Sequence, residues 1–402
     1  VARLTRIYFD RKYFPYPLEI GQTLAGIGLR RAARAGLSCV HARLAPRRPE
    51  VSFEDWVVNR FGHELYRMFF KTYTEKVWGI PCAEINKDWA AQRIRGLSLG
   101  AIVRLALLRG KDRPRSLVDR FLYPRRGAGE LWQSVADQVR ALGGEVVLGS
   151  AAVRLEHEGG KLHTVVTADG ARHHGSQFYV TMTLADFVAA LAPPPPREIL
   201  AAGGALRHRD FISVMLIIPR AKLFRDQWIY IHDPGVRVAR ITNYANWSDA
   251  MSPDAARTAI TMEYFCNRDE PLWCASDAEI LALAAAEIER LGLASLRGQH
   301  DGHVLRLKNA YPVYDAHYQQ NRDLLKHWIG ASLANVAPAG RKGLHNYNSQ
   351  DHAMMSAMFA VRNALEGTRL DVWSVNTEQE YAEEGSVAQV IEERLVPRGV
   401  TS

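Results

Sequence analysis

The sequence predicts a mixed α/β fold, an α+β mixture in which two domains are interleaved along the chain. Three features predict it. Residues 21–120 carry apolar residues at helical spacing, residues 209–308 are rich in β-branched and aromatic residues, and residues 340–362 place a glycine turn, a polar loop and a helix start in succession. Because this last pattern follows a long sheet-forming region, the chain is expected to return late to a domain that it entered earlier.

Helices are predicted first. Ser52 followed three residues later by Asp55 is the pattern of a capped helix start. Phe53, Trp56 and Phe61 continue it as an apolar stripe with a polar edge. The helix pairs of this region are expected to form a cap.

Residues 119–192 are predicted to form a helix followed by short strands. The helix covers residues 129–142, and the strands cover residues 145–148, 153–157, 162–167 and 177–181, with a hairpin through Gly159 and Gly160. Residues 193–196 are four consecutive prolines, which neither a helix nor an interior strand accepts. They mark a boundary or an exposed connector.

The region from residue 209 to residue 308 is predicted to form a sheet. Its strands are the stretches FISVMLIIP, QWIYIHD, VARITNY, TAITMEYF and HVLRLKNAYPV, and residues 278–291 form a helix before the last of them. A mixed sheet with helices packed on it follows.

The last element is the most informative. Residues 327–335 (HWIGASLAN) predict a short buried strand, Gly340 follows it, and residues 353–365 carry apolar residues at helical spacing with Asp351 in the position of an N-cap. A helix start offers unpaired N–H groups and about half a positive charge. A ligand at residues 350–354 is therefore expected to be electron-rich, as a reduced flavin is near N1 and the C2 carbonyl.

Several stretches carry a family resemblance. Residues 52–99, YPRRGAGELW (123–132), WIYIHDP (228–234), AYPVYDAHY (310–318) and residues 340–362 resemble the FAD-dependent amine oxidase and protoporphyrinogen oxidase superfamily, in particular a bacterial branch that also resembles UDP-galactopyranose mutase. The resemblance spans about residues 3–384. It implies FAD as the cofactor, a glutathione-reductase-like FAD-binding domain, and a substrate domain of mixed β-sheet plus helical cap.

The resemblance also implies a division of the chain. The parts are a helical cap and entry to the substrate domain (1–118), an FAD-domain segment (119–192), the substrate-domain sheet (193–322), a C-terminal FAD-domain segment (323–370) and a peripheral tail (371–402).

The cofactor-binding residues that the resemblance implies lie mostly in the glycine turn and helix start. They are Gly340, Arg341, Asn348, Gln350, Asp351, His352 and Met354, together with Val153 and Arg126. Gly340 allows close backbone approach, and Arg341 is expected to meet a phosphate or a ribityl hydroxyl. The alternatives are a surface salt bridge for Arg341, an ordinary helix-start turn for Arg126 and an unspecific strand residue for Val153.

Substrate-binding candidates are aromatic. Trp228, Tyr230 and Tyr314 are expected to wall the substrate pocket, although aromatic residues on a sheet often belong to the core instead. His352 is the candidate for a titrating group near the flavin, and a structural histidine is the alternative. The sequence indicates no metal site, since its four cysteines have no CxxC spacing.

One departure from the family pattern affects the cofactor prediction. The superfamily begins with a strand, a GxGxxG turn and a helix that hold the FAD pyrophosphate. This sequence contains no GxGxxG and does not begin with Met. We expect an N-terminally truncated or fragmentary sequence that lacks this βαβ unit.

Composition and charge limit the function classes. The 402 residues are 47% hydrophobic, which indicates a globular protein large enough for two domains. Residues 1–130 hold 25 Lys or Arg against 12 Asp or Glu, and the remainder holds 26 against 31. This basic half favours a solvated arginine-rich surface, a site for a phosphorylated substrate, or peripheral membrane contact through residues 97–115. No nucleic-acid-binding module accompanies the charge, and a cytoplasmic protein is expected.

Three functions remain open from the sequence. The first is an FAD-dependent, amine oxidase-like oxidoreductase that transfers a hydride from a small organic substrate to flavin N5. The second is a UDP-galactopyranose mutase-like isomerase of a nucleotide sugar. The third is an inactive fragment unable to retain FAD, because the βαβ unit is missing. The oligomeric state, the substrate and the electron acceptor are not specified by the sequence.

Overall fold

The structure is a computed structural model that describes residues 1–376 except positions 17, 19, 88, 90–120, 220–222, 253, 255, 297, 299 and 300. The expected membrane-contacting helix at residues 97–115 and most of the expected peripheral tail therefore lie outside the described residues. Within the described part of the chain, no helix combines the length and the apolar character needed to cross a membrane.

Strands and helices are distributed as the sequence predicts in outline. The strands are β1 (Thr5–Phe9), β2 (Lys12–Pro15), β3 (Ala152–Glu158), β4 (Lys161–Thr167), β5 (Arg172–His174), β6 (Phe178–Val180), β7 (Leu191–Ala192), β8 (His208–Pro219), β9 (Trp228–Ile231), β10 (Arg240–Asn243), β11 (Arg257–Cys266), β12 (Asp301–Pro312) and β13 (Val336–Pro338). The helices are α1 (Ile20–Ile27), α2 (Leu29–Leu44), α3 (Phe53–Leu65), α4 (Thr72–Trp78), α5 (Ala128–Ala141), α6 (Leu184–Ala190), α7 (Arg197–Ala205), α8 (Pro271–Cys274), α9 (Asp277–Arg290), α10 (Tyr318–Ser332), α11 (Gly340–Gly343) and α12 (Gln350–Glu366). A π-helical turn, Tyr66–Lys71, joins α3 to α4.

The largest sheet has seven strands in the order β12-β8-β11-β10-β9-β1-β2. Its neighbours pair antiparallel except β1 and β9, which run parallel. The five strands predicted between residues 209 and 313 are all present. The β1–β2 hairpin was not predicted, because that stretch was assigned to the cap entry. Pro15 lies at the end of β2, which is an edge strand. A proline is compatible with this position, because its missing N–H is not needed for pairing with a further strand.

One face of this sheet is apolar and the other is polar and aromatic. Ile212, Val214 and Leu216 alternate along β8 and are fully buried against α9. Alternate residues point to opposite faces of a strand. The second face therefore carries the register partners Tyr230, Arg240 and Glu263, which face away from the apolar core.

The cap is helical, as expected. The Ser52 side chain accepts the N–H of Asp55, and the Asp55 carboxylate accepts the N–H of Ser52, so the predicted capping box at the start of α3 is confirmed. Phe53 and Phe61 pack in one cluster with Ile7 and Phe14 of the β1–β2 hairpin. This shared core fixes the cap to the seven-stranded sheet.

Two smaller sheets form the remaining part of the molecule. One has the order β5-β4-β3-β7, and the other is the parallel pair β6 and β13. The buried Asn335 connects them, because its Oδ1 accepts the Leu162 N–H (2.9 Å) and its Nδ2 donates to the carbonyls of Leu162 (2.7 Å) and Ser176 (3.0 Å). The start of β13, the strand that leads to the Gly340 turn, is thereby held against β4.

Two sequence predictions in this region are wrong. Residues 327–335 are not a strand, since α10 extends to Ser332. Leu325, Ile329 and Leu333 are buried at four-residue spacing, which is typical of a helix. The strand was predicted because the segment is short and apolar, and this spacing was not taken into account. Residues 145–148 form no strand either. The helix predicted for residues 129–142 is confirmed as α5.

Helix α5 has an apolar face that the described residues leave open. None of its residues is buried. Leu131, Trp132, Val135 and Val139 are 39% to 45% exposed. Their spacing places them on one side of the helix, and Trp132 reaches the cavity described below.

Asn335→Ala is expected to lower the free energy of unfolding by about 2–3 kcal/mol, because it leaves the buried N–H and carbonyl of Leu162 without their partner and also removes the bond to the Ser176 carbonyl. Urea unfolding measures the change. Gln133→Ala, which removes an exposed hydrogen bond to Asp137 on α5, is the control and should change stability by less than about 0.5 kcal/mol. Equal effects of the two substitutions would contradict the role of Asn335.

Candidate functional site

A cavity of about 610 Å³ lies where α11 and the start of α12 meet the ends of β8 and β12. This volume lies within the roughly 300–1,000 Å³ of small-molecule sites. Apolar side chains form much of the wall, and the largest are Trp132, Phe211, Leu307, Tyr311 and Met354. The cavity is thus a wide, largely apolar cleft whose wall also includes the polar side chains of Lys308, Arg341, Lys342 and Gln350.

Gly340 forms a turn in the wall of this cavity. Its φ of +78° lies in the left-handed region that favours glycine. A Cβ at this position would meet nothing closer than the Thr181 side chain at 3.9 Å, so the backbone faces open space. The Gly340 N–H donates to Ser356 Oγ (2.8 Å), and Ser356 Oγ donates to the Ala353 carbonyl (2.7 Å). Ser356 therefore fixes the turn to α12.

The first turn of α12 offers unpaired backbone N–H groups. The N-cap is Ser349, two residues before the predicted Asp351, which is exposed in the first turn. The Ser349 hydroxyl bonds the side chains of Asp351 and His352 (Nδ1, 2.7 Å) and makes no capping bond to the backbone. The sequence-based position was wrong because Ser and Asp are both good N-caps. Gln350, Ala353, Met354 and Ala357 nevertheless line the cavity, so one side of the first two turns of α12 forms part of its wall.

Arg341 is held in place without a carboxylate. Its Nε donates to the Asn348 carbonyl (2.7 Å) and its Nη1 to the Ala310 carbonyl (3.3 Å), and the guanidinium carbon lies 4.8 Å from the Tyr311 ring centroid and 5.3 Å from that of Tyr347. No Asp or Glu of the described residues lies within 4.0 Å of it. The alternative of a surface salt bridge is thus not formed among them.

The predicted cofactor residues divide into two groups. Gly340, Arg341, Gln350 and Met354 line one cavity. The other three from this segment lie beside it: the buried Asn348 positions Arg341, and Asp351 and His352 share the Ser349 hydroxyl.

The other two predicted cofactor residues are not brought to this cavity. Arg126 is exposed and forms an ion pair with Glu130 (3.0 Å). Val153 is 52% exposed on β3. Their cofactor contacts stay predictions.

The predicted substrate residues occupy two places. Trp228 stacks on Trp247, with ring centroids 5.4 Å apart, and Tyr230 lies 4.8 Å from Tyr16, on the polar and aromatic face of the large sheet. Tyr314 is fully buried, and its hydroxyl donates to Asn346 Oδ1 (2.7 Å) and accepts the Tyr347 N–H (2.8 Å). It orders the loop before α12, and its substrate contact remains untested.

Several cavity residues were missed at the sequence level, among them Phe211, Lys308 and Trp132. Phe211 and Lys308 come from strands β8 and β12, and Trp132 comes from α5. Phe211 and Leu307 are register partners, and the pairing shifts between Leu307 and Tyr311. The stretch containing Tyr311 carried part of the resemblance, but only strand register shows that Phe211 and Lys308 lie beside it.

Burial changes the acid–base behaviour of groups around the site. Burial raises the pKa of Tyr311 to about 12, so this phenol stays protonated at neutral pH. Burial, and then the nearby Lys342 ammonium, lower the pKa of His208 to about 4. His208 packs edge-on against the fully buried His345, with ring centroids 4.8 Å apart, and burial also lowers the pKa of His345.

A second cavity of about 360 Å³ lies beside His208. Its wall includes Asp186, Asp210, Arg268 and Asn309. Arg268 pairs with Asp210 (3.1 Å) and with the Asn309 side chain, so the charges of this wall largely satisfy one another.

The residues of the larger cavity fit a flavin. Apolar side chains can lie against a planar ring, the open turn at Gly340 permits close approach of a chain of hydroxyls or phosphates, and the helix N-terminus favours an electron-rich edge.

Solved structures share this architecture. A crystal structure of reduced UDP-galactopyranose mutase matches with a TM-score of 0.78 at 16% sequence identity, covering 95% of this chain and 83% of the mutase. A protein of Exiguobacterium sp. 255-15 assigned as a protoporphyrinogen oxidase matches with a TM-score of 0.62 at 14% identity, covering 85% and 76%. The predicted fold is confirmed. A double mutant of putrescine oxidase also matches, with a TM-score of 0.52 at 12% identity, covering 86% and 78%. No family model matches the chain.

His208→Asn is expected to reduce the loss of stability on acidification. An unfolded histidine binds a proton near pH 6.5, whereas folded His208 does so near pH 4. Its contribution is therefore complete above about pH 6.5 and is lost as pH falls towards 4. Urea unfolding at several pH values measures the free energy of unfolding. Between about pH 4 and 6.5 its dependence on pH should be shallower in His208→Asn than in the unchanged protein, by up to about 1 kcal/mol per pH unit. The exposed His303, replaced by Asn, is the control, and an unchanged slope in His208→Asn contradicts the assignment.

Proposed function

We propose that the protein is an FAD-dependent oxidoreductase that removes a hydride from a small organic substrate. One observation carries the proposal: the first turn of α12, which has no side-chain cap, and the open turn at Gly340 line one largely apolar cavity. The fold shared with an oxidase and a mutase structure supports it.

The chain supplies binding and orientation. The N–H groups at the start of α12 would hold the electron-rich edge of the flavin ring, and Gly340 would lie along its ribityl or phosphate chain. Arg341, already oriented by the Asn348 carbonyl, would contact the same chain. FAD supplies the two-electron acceptor when bound.

The side chains of the cavity wall exclude water, and the Tyr311 hydroxyl among them stays protonated. Phe211, Tyr311 and Leu307 cover the sheet side of the cavity with apolar surface, which limits competing reactions with solvent. Because the pKa of Tyr311 is raised to about 12, its hydroxyl serves as a hydrogen-bond donor at neutral pH and does not act as a base. The substrate is expected between this wall and the ring.

The decisive experiment is cofactor retention. The purified 402-residue protein is expected to carry one FAD per chain, seen as visible flavin absorbance, and a substrate should bleach it under anaerobic conditions. A protein that takes up no FAD, even when FAD is added in excess, contradicts the proposal and supports the sequence-based alternative of a chain that cannot retain FAD.

Gly340→Ala is expected to weaken FAD binding by about tenfold or more, which corresponds to about 1.4 kcal/mol. The added methyl group projects towards the cavity and strains a left-handed residue. Gly367→Ala is the matched control, because Gly367 also has a positive φ (+68°) and open space, at the other end of α12. Titration with FAD, and urea unfolding of both variants, separate the two effects. If Gly340→Ala and Gly367→Ala bind FAD with equal affinity, the flavin does not bind at Gly340.

A UDP-galactopyranose mutase-like isomerase is the second candidate. The TM-score of 0.78 with reduced UDP-galactopyranose mutase over 95% of this chain favours it. Under reducing conditions, an isomerase interconverts two nucleotide sugars with no net consumption of the reductant. An oxidoreductase instead consumes one electron acceptor per turnover. Analysis of the products, together with the amount of reductant or acceptor consumed, therefore distinguishes the isomerase from the oxidoreductase.

A further inference from the structure

The charged side chains that line the larger cavity are all positive. Its wall contains Lys308, Arg341 and Lys342 and includes no Asp or Glu among its described residues. Lys308 lies near the end of β12, and Lys342 lies in α11. Two separate elements thus bring cations to one cleft.

These cations have no acidic partner in the described part of the chain. No carboxylate lies within 4.0 Å of either lysine ammonium group or of the Arg341 guanidinium. Other arginines that approach the core do have partners: Arg6 pairs with the buried Asp226 (2.6 Å), and Arg240 pairs with Glu263 (2.6 Å). The described residues therefore leave the positive charge of this cavity wall available to an anionic ligand.

The side chain of Lys342 contacts the backbone of Lys308. The Lys342 ammonium donates to the backbone carbonyl of Lys308 (3.1 Å), which ties α11 to β12. An oxyanion in this cavity would accept charge-assisted hydrogen bonds from the ammonium groups that line it.

We propose that the substrate of this cavity is an organic acid whose phosphate or carboxylate group binds between Lys308 and Lys342. The proposal rests on the proposed function, since it concerns the same cavity. Arg341, next to the Gly340 turn, stays with the cofactor, whereas the lysine pair adjoins the β12 edge of the large sheet. A free alkylammonium substrate is disfavoured, because three cations would face its positive charge.

The expected effect of each lysine is modest. Lys308 is exposed and Lys342 is half-buried, so water and salt screen their attraction for an anion. A loss of about 1 kcal/mol per lysine corresponds to about fivefold weaker binding. The affinity is expected to fall as the salt concentration rises.

Isothermal titration calorimetry of the full chain with inorganic pyrophosphate and, separately, with citrate tests the proposal at one fixed low ionic strength. The two probes distinguish a phosphate-type from a carboxylate-type acid. The variants are Lys308→Gln, Lys342→Gln, the double variant and Lys308→Arg. Lys161→Gln is the control, because Lys161 is an exposed lysine on β4 that is likewise without a carboxylate within 4.0 Å in the described residues. FAD content is measured in every variant by its visible absorbance.

The expected result is about fivefold weaker binding of at least one probe in each single Gln variant and a larger loss in the double variant. Lys308→Arg and Lys161→Gln should bind as the unchanged protein does, and FAD content should not vary. The proposal is overturned if neither probe binds, if Lys161→Gln weakens binding as much as Lys308→Gln, or if added FAD displaces the probe competitively, since the cations then serve the cofactor. Lysine-dependent binding in a protein that takes up no FAD leaves this proposal standing and contradicts only the oxidoreductase assignment.

Discussion

The candidate site depends on the hydrogen bond from the Gly340 N–H to the buried Ser356 Oγ. This bond fixes the turn after β13 to the second turn of α12. The open backbone at Gly340 and the unpaired N–H groups of the helix start therefore face the same space. Asn335 holds β13 from the other side through its bonds to Leu162.

The larger cavity differs from the protein core in how its positive charges are balanced. Elsewhere, arginines near the core are balanced, as Arg209 is by Glu270 and Arg240 by Glu263. The balanced pairs stabilise a fixed geometry, because a buried charge without a partner is strongly disfavoured. The unpaired cations at the cavity are instead available to a ligand. This difference supports both the proposed flavin site and the proposed acidic substrate.

The sequence was a good guide to local structure and a poor one to contacts between distant segments. The Ser52 capping box and strands β8 to β12 follow from nearest-neighbour patterns, and they are present. Segment 327–335 was assigned by its apolar content, although the spacing of its buried residues is helical. Lys308 joins the cavity only through the pairing of β12 with β8. Such a position depends on register and on packing between elements that lie far apart in the sequence.

The central claim is that the N-terminus of α12 stabilises the electron-rich form of a bound flavin. Measuring the two-electron reduction potential of the protein-bound FAD against that of free FAD tests it most directly. The positive end of the helix dipole would favour the reduced, negatively charged ring over the oxidised one. The account predicts a potential above that of free FAD. A bound flavin with a potential at or below that of free FAD would contradict it.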